Sequence, residues 1–334
     1  MIKKGFSTYL FRDVYISDFY SACGPFEYKG MYGSYFNKHY DSLYLGEKSF
    51  EKAEMTLLKS TVEPLIDKND KIHLAVLGDL NNQIAISSYL MKEYKIPYLG
   101  IYSACATFIE SIIIGSMFVE NNLNNTVLCG SCSHNATSER QFRTPNEYGG
   151  QKPSYFTFTS TAAGSCILKN KGLIKVTSCT IGKVNDYNQM NAFDLPRSMA
   201  PACADTLIRY LKDSDEEINS FDLIVTGDLS LNGSKIFLEI LEKHGIDIND
   251  RHFDCGEKIY DIENQPVYSG GSGAGCIAGM LCAYIFKKIL DGTYKKIIVL
   301  GTGALLNPIM VSQKESIPSI SHLIVLEGVE NAVC

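Results

Sequence analysis

A cysteine stands in the turn Tyr102-Ser-Ala-Cys-Ala106, between a strand-like stretch from Tyr98 to Tyr102 and an apolar, helix-like one from Thr107 to Val119. A sulfur at the amino end of a helix meets free N–H groups and the positive end of the dipole, which favours thiolate over thiol and suits a nucleophile. A small residue filling a tight turn satisfies the same sequence, so Cys105 carries both readings. The polar segment from Ser131 to Lys152 gathers the other reactive groups: His134, Arg140, Arg143 and Lys152 as donors, Asn135 and Gln151 as amides, Phe142 and Tyr148 as flat faces. Arginine grips a carboxylate through two parallel hydrogen bonds, and aromatic faces accept a planar ring. Ion pairing of Arg140 and Glu139 across a dimer interface uses the same residues.

Other candidates are weaker. Asp79 and Asp228 end two similar strands, where a carboxylate caps the following turn or helps to hold Ca²⁺, and capping is the simpler role. Asn81 and Asn82 follow Asp79 and either reach a pocket or shape the loop. Cys129-Gly-Ser-Cys132 has the spacing of a redox or zinc pair, but no second Cys or His pair lies at metal spacing, which leaves a structural role and no metal site. Gly271-Ser-Gly-Ala-Gly275 is an incomplete phosphate loop, since its next dinucleotide-type glycine falls on Cys276. His322, near the last strand, reads as a packed core residue.

The elements that position these groups occur twice. Ile72-His-Leu-Ala-Val-Leu-Gly-Asp-Leu80 and Phe221-Asp-Leu-Ile-Val-Thr-Gly-Asp-Leu229 agree at five of nine positions at an offset of 149. Ser103-Ala-Cys105, leading through an apolar helix to Val127-Leu-Cys-Gly130, is echoed by Gly273-Ala-Gly-Cys276 leading to Ile298-Val-Leu-Gly301, at an offset of 171. Strands and helices alternating in this way predict an α/β fold with largely parallel sheets and ligand groups at strand carboxyl ends. Two copies predict a pseudo-twofold, with one half spanning 1–172 and the other 173–334. Further helices are expected after Asp205, from Leu207, Ile208 and Leu211, and after Ser234, from Ile236, Phe237, Ile240 and Leu241. The stretch from Leu173 to Glu217 joins the halves with no counterpart in the repeat frame.

Composition bounds the function. The chain has 334 residues, 45% apolar and 20% charged, enough for a large core and without a disordered tract. A net charge of -6 with no basic stripe argues against nucleic acid as a partner. The first residues lack the apolar core of a signal peptide, and the eleven cysteines form no framework, so a reducing compartment is expected. Leu99 to Val119 contains Glu110, and Gly273 to Phe286 is short, so neither is expected to span a membrane.

The duplication, the Cys at the first strand-to-helix turn and the run Gly301-Thr-Gly-Ala-Leu-Leu-Asn-Pro308 together resemble the thiolase and ketoacyl synthase superfamily. The resemblance implies a duplicated αβαβα layered fold in which Cys105 takes the place of the acylated cysteine and amides of the Gly301 to Gly303 turn act as fixed donors. In condensing enzymes a His follows the first strand of the second half, and an Asn or His precedes its buried helix. The corresponding runs here, Val225-Thr-Gly-Asp-Leu-Ser230 and Tyr268-Ser-Gly-Gly-Ser-Gly-Ala-Gly275, contain neither. Losing a base and an oxyanion donor removes effects of roughly 10² to 10⁴ and 10² to 10³ in rate.

Within the superfamily the chain resembles the stage V sporulation protein AD family along nearly its whole length. The runs that carry this are Ser133-His-Asn-Ala-Thr137 with Glu139-Arg-Gln-Phe-Arg143, Glu147-Tyr-Gly-Gly-Gln-Lys-Pro153, Met199-Ala-Pro201 with Ala204-Asp-Thr206, Thr302-Gly-Ala-Leu-Leu306, and Gln313-Lys-Glu-Ser-Ile-Pro318. The resemblance implies a noncatalytic protein without a cofactor, peripheral to the forespore or spore inner membrane. It would work with integral membrane partners in uptake of dipicolinic acid (pyridine-2,6-dicarboxylate), which travels with Ca²⁺. A homodimer is expected, with a pocket formed by Cys105, His134, Asn135, Arg140, Tyr148, Gln151, Lys152, Asp79, Asn82, Gly301 and Gly303. Two other readings stand beside it: an acyltransferase in which His134 replaces the missing base, and a scaffold that docks membrane partners without binding a ligand.

Overall fold

Strands that must be apolar on both faces, and helices apolar nearly all round, require a structure of stacked layers. The computed structural model, which describes residues 1–143 and 149–329, has that form. The first half runs β1 (Tyr15–Cys23), α1 (Phe50–Lys68), β2 (Leu74–Gly78), α2 (Ala85–Tyr94), β3 (Tyr98–Gly100), α3 (Thr107–Glu120), β4 (Val127–Ser133), α4 (Asn135–Phe142) and β5 (Ala162–Lys169). The second runs β6 (Ile174–Thr180), α5 (Pro196–Ser214), β7 (Leu223–Thr226), α6 (Ser230–Lys243), β8 (His252–Asp254), α7 (Ala274–Met280), β9 (Lys296–Ala304) and β10 (Ser319–Gly328). After α7 a π turn at Leu281–Ile285 carries the helix on to Leu290.

Each half repeats one strand order outward from the centre: β1-β5-β4-β2-β3 and β6-β10-β9-β7-β8. The outer strands pair in parallel, whereas β5 and β10 run antiparallel to both neighbours. The half-sheets meet where Ile174 pairs with Ile16 and Lys175 with Tyr15. The repeat therefore begins earlier than its sequence signal: β6 and α5 are the counterparts of β1 and α1, and both helices have 19 residues. This corrects the expectation that Leu173 to Glu217 stands outside the repeat.

Alternating side chains sort the strands between three cores. Leu74 and Val76 of β2, Val127 and Cys129 of β4, and Ile297 and Val299 of β9 face a central core with α3 and α7. Ala75, Leu77 and Leu128 turn outward to α1 and α2. Ile298 and Leu300 turn outward to α5 and α6. The result is the layered order helix, sheet, helix, sheet, helix, with ten buried, unpaired cysteines among the described residues. No described helix is long and apolar enough to cross a membrane.

Candidate ligand pocket at the cysteine turn

Ala104 takes the left-handed conformation (φ +52°) and turns the chain sharply from β3 into α3. Thr107 Oγ1 staples the turn, accepting from the Ser103 amide at 3.1 Å and donating to the Ala104 carbonyl at 2.6 Å. β9 passes directly beneath. A Cβ on Gly303 would lie 2.4 Å from the Ser103 carbonyl oxygen, so only glycine lets the strand approach so closely. Cys105 Sγ faces Ser272 Oγ at 3.9 Å, across 167 residues. Ser272 stands two residues before α7 as Cys105 stands two before α3, so the halves contribute equivalent turn positions to one site. This corrects the pairing of Cys105 with Cys276, which lies buried inside α7.

Asp228, just past β7, organises this centre. Its carboxylate accepts from Thr302 Oγ1 (2.6 Å), Ser272 Oγ (2.9 Å) and the Gly273 amide (2.9 Å). Burial pushes the Cys105 thiol well above its ordinary pKa, and the Asp228 carboxylate beside it pushes the same way. The thiolate expected from the helix terminus is thus overruled, because loss of hydration and a nearby anion outweigh a partial positive charge.

Two adjoining chambers open here. The inner one, about 40 Å³, is lined by Cys105, Ser138, Arg143, Thr159 and Ser272 with apolar neighbours. The outer one, about 530 Å³, is lined by the amides Asn81, Asn82, Gln83, Gln141 and Asn307 and by apolar groups. Leu80, Tyr102, Phe142 and Leu306 belong to both linings and form the wall between them.

Of the residues expected at the site, Cys105 lines the inner chamber and Asn82 the outer one, where its amide donates to Gln141 Oε1. His134 caps α4: Nε2 donates to the Leu43 carbonyl at 2.7 Å, Nδ1 accepts from the Ala136 amide, and burial pushes its pKa down to about 4. Asn135 donates to the Thr159 carbonyl, lines neither chamber and holds the neighbouring loop. Arg140 points to solvent and pairs with Glu51, whereas α4 ends at Phe142 and Arg143, at φ -130° and ψ -87°, leaves the helical path and turns inward. Gln151 is exposed, and Tyr148 lies outside the described residues. Lys152 pairs with Glu139 at 3.2 Å and sits 4.7 Å from the centre of the Phe156 ring. Asp79 is buried, accepting from the Asn81 and Ser87 amides and the Ser87 hydroxyl, and acts as a loop cap. Gly301 and Gly303 lie within β9, paired with His322 and Ile320 of β10, so the expected turn of free amides is ladder instead. His322 is a packed core residue, as its position suggested.

Arg143 is the cation that does line the inner chamber. Its side chain is 4% exposed, Nη1 donates to Glu139 (2.8 Å) and the Thr157 carbonyl (3.0 Å), and the guanidinium lies 4.2 Å from the centre of the Phe156 ring. Glu139 stands between Arg143 and Lys152 and pairs with both. Ser272, Thr159 and Ser138 were not anticipated. A register of 167 in place of 171 would have brought Ser272 forward as the partner of Cys105.

Comparison with known proteins agrees with this geometry. The chain resembles solved condensing enzymes: an OleA variant from Xanthomonas campestris (TM-score 0.60, 12% identity, 95% of this chain and 99% of that one) and 3-oxoacyl-(acyl-carrier-protein) synthase III from Aquifex aeolicus (0.52, 10%, 96% and 97%). These likenesses establish the thiolase-like fold. The sequence profile of stage V sporulation protein AD (SpoVAD) matches residues 5–327. Stage V sporulation protein AD of Bacillus subtilis (strain 168) is 41% identical over 329 residues, 97% of each chain. The chain therefore belongs to the stage V sporulation protein AD family.

Proposed function

We propose that this protein binds and does not catalyse: it holds dipicolinic acid, free or as its Ca²⁺ chelate, at the site where its structural relatives carry out chemistry. The observation that carries this reading is the inner chamber, where a thiol held protonated beside Asp228 replaces a nucleophile and the desolvated guanidinium of Arg143 supplies the charge. One carboxylate of the ligand enters the inner chamber and meets Arg143, Ser272 and Cys105. The ring rests against Phe142 and Tyr102, and the second carboxylate lies among the amides of the outer chamber. A buried charge-assisted bond of this kind contributes roughly 1.5–3 kcal/mol.

The acyl-transfer alternative loses its base, since both ring nitrogens of His134 are engaged and the ring lines neither chamber. In our reading the protein works as a homodimer. The edge strand β3, with Leu99, Tyr89 and Tyr102 exposed around it, suits pairing with a second copy. It is held peripherally on the forespore or spore inner membrane, where integral membrane proteins of the same transport system receive the ligand.

Titration calorimetry with pyridine-2,6-dicarboxylate, with and without Ca²⁺, tests the assignment. Saturable binding is expected, weakened about 10- to 100-fold in Arg143→Ala and unchanged in Arg140→Ala. Absence of binding by folded protein, or equal loss in both variants, overturns it.

A further inference from the structure

Between Tyr28 and Tyr40 the chain reads Tyr-Lys-Gly-Met-Tyr-Gly-Ser-Tyr-Phe-Asn-Lys-His-Tyr, with four tyrosines, a methionine, two lysines and no carboxylate. None of these residues lines either chamber. The segment folds onto the second half of the molecule. The Tyr32 ring centre lies 4.5 Å from that of Tyr284 and 5.7 Å from that of Phe253, and Tyr35 lies 4.9 Å from Tyr284. Two glycines make the close packing possible: a Cβ on Gly30 would meet the Ile259 carbonyl oxygen at 2.1 Å, and one on Gly33 the Tyr28 carbonyl oxygen at 1.9 Å. The base of the patch is therefore fixed, while its crest stays in solvent: Tyr28 is 42% exposed, Met31 67% and Tyr35 37%.

The patch also presents exposed lysines. Lys29 and Lys38 are exposed and have no carboxylate partner among the described residues, and Lys38 instead lies 5.0 Å from the centre of the Tyr40 ring. Lys287 reaches in and donates to the Tyr35 carbonyl at 2.7 Å. The acids nearby are Asp41, next in sequence, Asp291, which is already paired with Lys288, and Asp261 and Glu263, on the turn that packs against Phe26 and Gly30, where Asp261 accepts from Asn264.

We propose that this aromatic, lysine-flanked patch is the surface on which the protein seats against a bilayer bearing anionic headgroups. The inference rests on the peripheral membrane attachment proposed above and gives it a location. Tyrosines with an apolar body and a polar tip, a protruding methionine and flanking lysines match the chemistry of the headgroup boundary. A net charge of -6 repels such a membrane elsewhere, so docking needs local positive charge, which Lys29, Lys38 and Lys287 supply. An acidic peptide is the competing occupant. It would want a groove, whereas the most exposed large apolar side chain here, Met31, stands in solvent.

Cosedimentation of the whole protein with phosphatidylcholine vesicles, with or without 30% phosphatidylglycerol, tests this. Each lysine near an anionic surface contributes about fivefold in partitioning, so Lys29→Gln with Lys38→Gln is expected to weaken binding to the anionic vesicles by about 25-fold. Met31→Ser should weaken it further, in a way that salt does not reproduce. The matched control Lys235→Gln with Lys243→Gln, on the outer helix α6, should bind as wild type. Wild-type binding that the patch variants leave intact overturns the patch while membrane attachment stands. No wild-type binding to either vesicle, in protein that still binds dipicolinate by calorimetry, overturns bilayer contact altogether and leaves a protein partner as the occupant.

Discussion

Glu27, in the short helix Pro25–Tyr28, offers a quantitative check on the energetics of this interior. Its side chain is fully buried. Oε1 accepts from the Thr161 amide (2.8 Å) and from Tyr260 Oη (2.5 Å), while Oε2 has no partner among the described residues. Burial dominates these hydrogen bonds and raises the pKa from 4.5 to about 7. The native state then binds the proton more tightly than the unfolded chain. The stabilisation from this group is complete below about pH 4.5, is lost as the pH rises through about 7, and is absent above. At about 1.4 kcal/mol per unit, the loss between pH 5 and pH 8 is roughly 2.5 kcal/mol. Glu27→Gln copies the neutral acid: its carbonyl keeps both hydrogen bonds, and nothing ionises. The variant should match wild type at pH 5 and exceed it by roughly 2–3 kcal/mol at pH 8. Urea unfolding followed by far-UV circular dichroism suits a chain without tryptophan, and differencing the two proteins at each pH removes the background from Glu54 and Asp254, whose carboxyls are also raised. A variant no more stable than wild type at pH 8 refutes burial as the dominant influence on Glu27.

The other predictions concern the cysteine turn. Native Cys105 should resist iodoacetamide at pH 8 over times that alkylate it fully in urea, as read by peptide mass. Modification at the rate of an unhindered thiol would contradict the protonated state assigned to it. Gly303→Ala drives a methyl into the Ser103 carbonyl, and a loss of about 1–3 kcal/mol or more is expected. An unchanged urea midpoint would mean that β9 and the turn are not in the contact described.

The layer order was legible because Leu74–Gly78 is apolar throughout and Val127–Ser133 opens on the apolar run Val-Leu-Cys-Gly, which burial on both faces explains. The start of the second repeat was hidden. α5 begins at Pro196 and contains Pro201, a residue that argues against a helix interior, so apolar spacing exposed only its later turns. Cys105 could be picked out because a strand-to-helix turn has a local signature. Arg143 and Arg140 could not be told apart by composition. The difference is where α4 ends and which side of it meets the sheet. Ser272 was obscured by the cysteine at 276, since matching like residues hid a shift in register that the π turn at Leu281–Ile285 accompanies. The influence of Asp228 on the thiol was out of reach, because it depends on contacts made across more than a hundred residues.

The short seam between the half-sheets has a mechanical consequence. Ile174 with Ile16 and Lys175 with Tyr15 are the two pairs between β6 and β1, and Thr8–Leu10 adds three more along β6, which looks like a weak hinge. Yet α3 packs on strands of both halves, and its own Phe108 and Ile109 are wholly enclosed in the shared core. Swinging the halves apart would wet that core, at a cost of roughly 1.5–3 kcal/mol for every large side chain uncovered. The molecule is thus a locked clasp. Traffic between the two chambers falls to rotation of Phe142, Tyr102 and Leu306, so exchange of a bound molecule is expected on the timescale of side-chain and loop motion, independent of any large rearrangement of the fold.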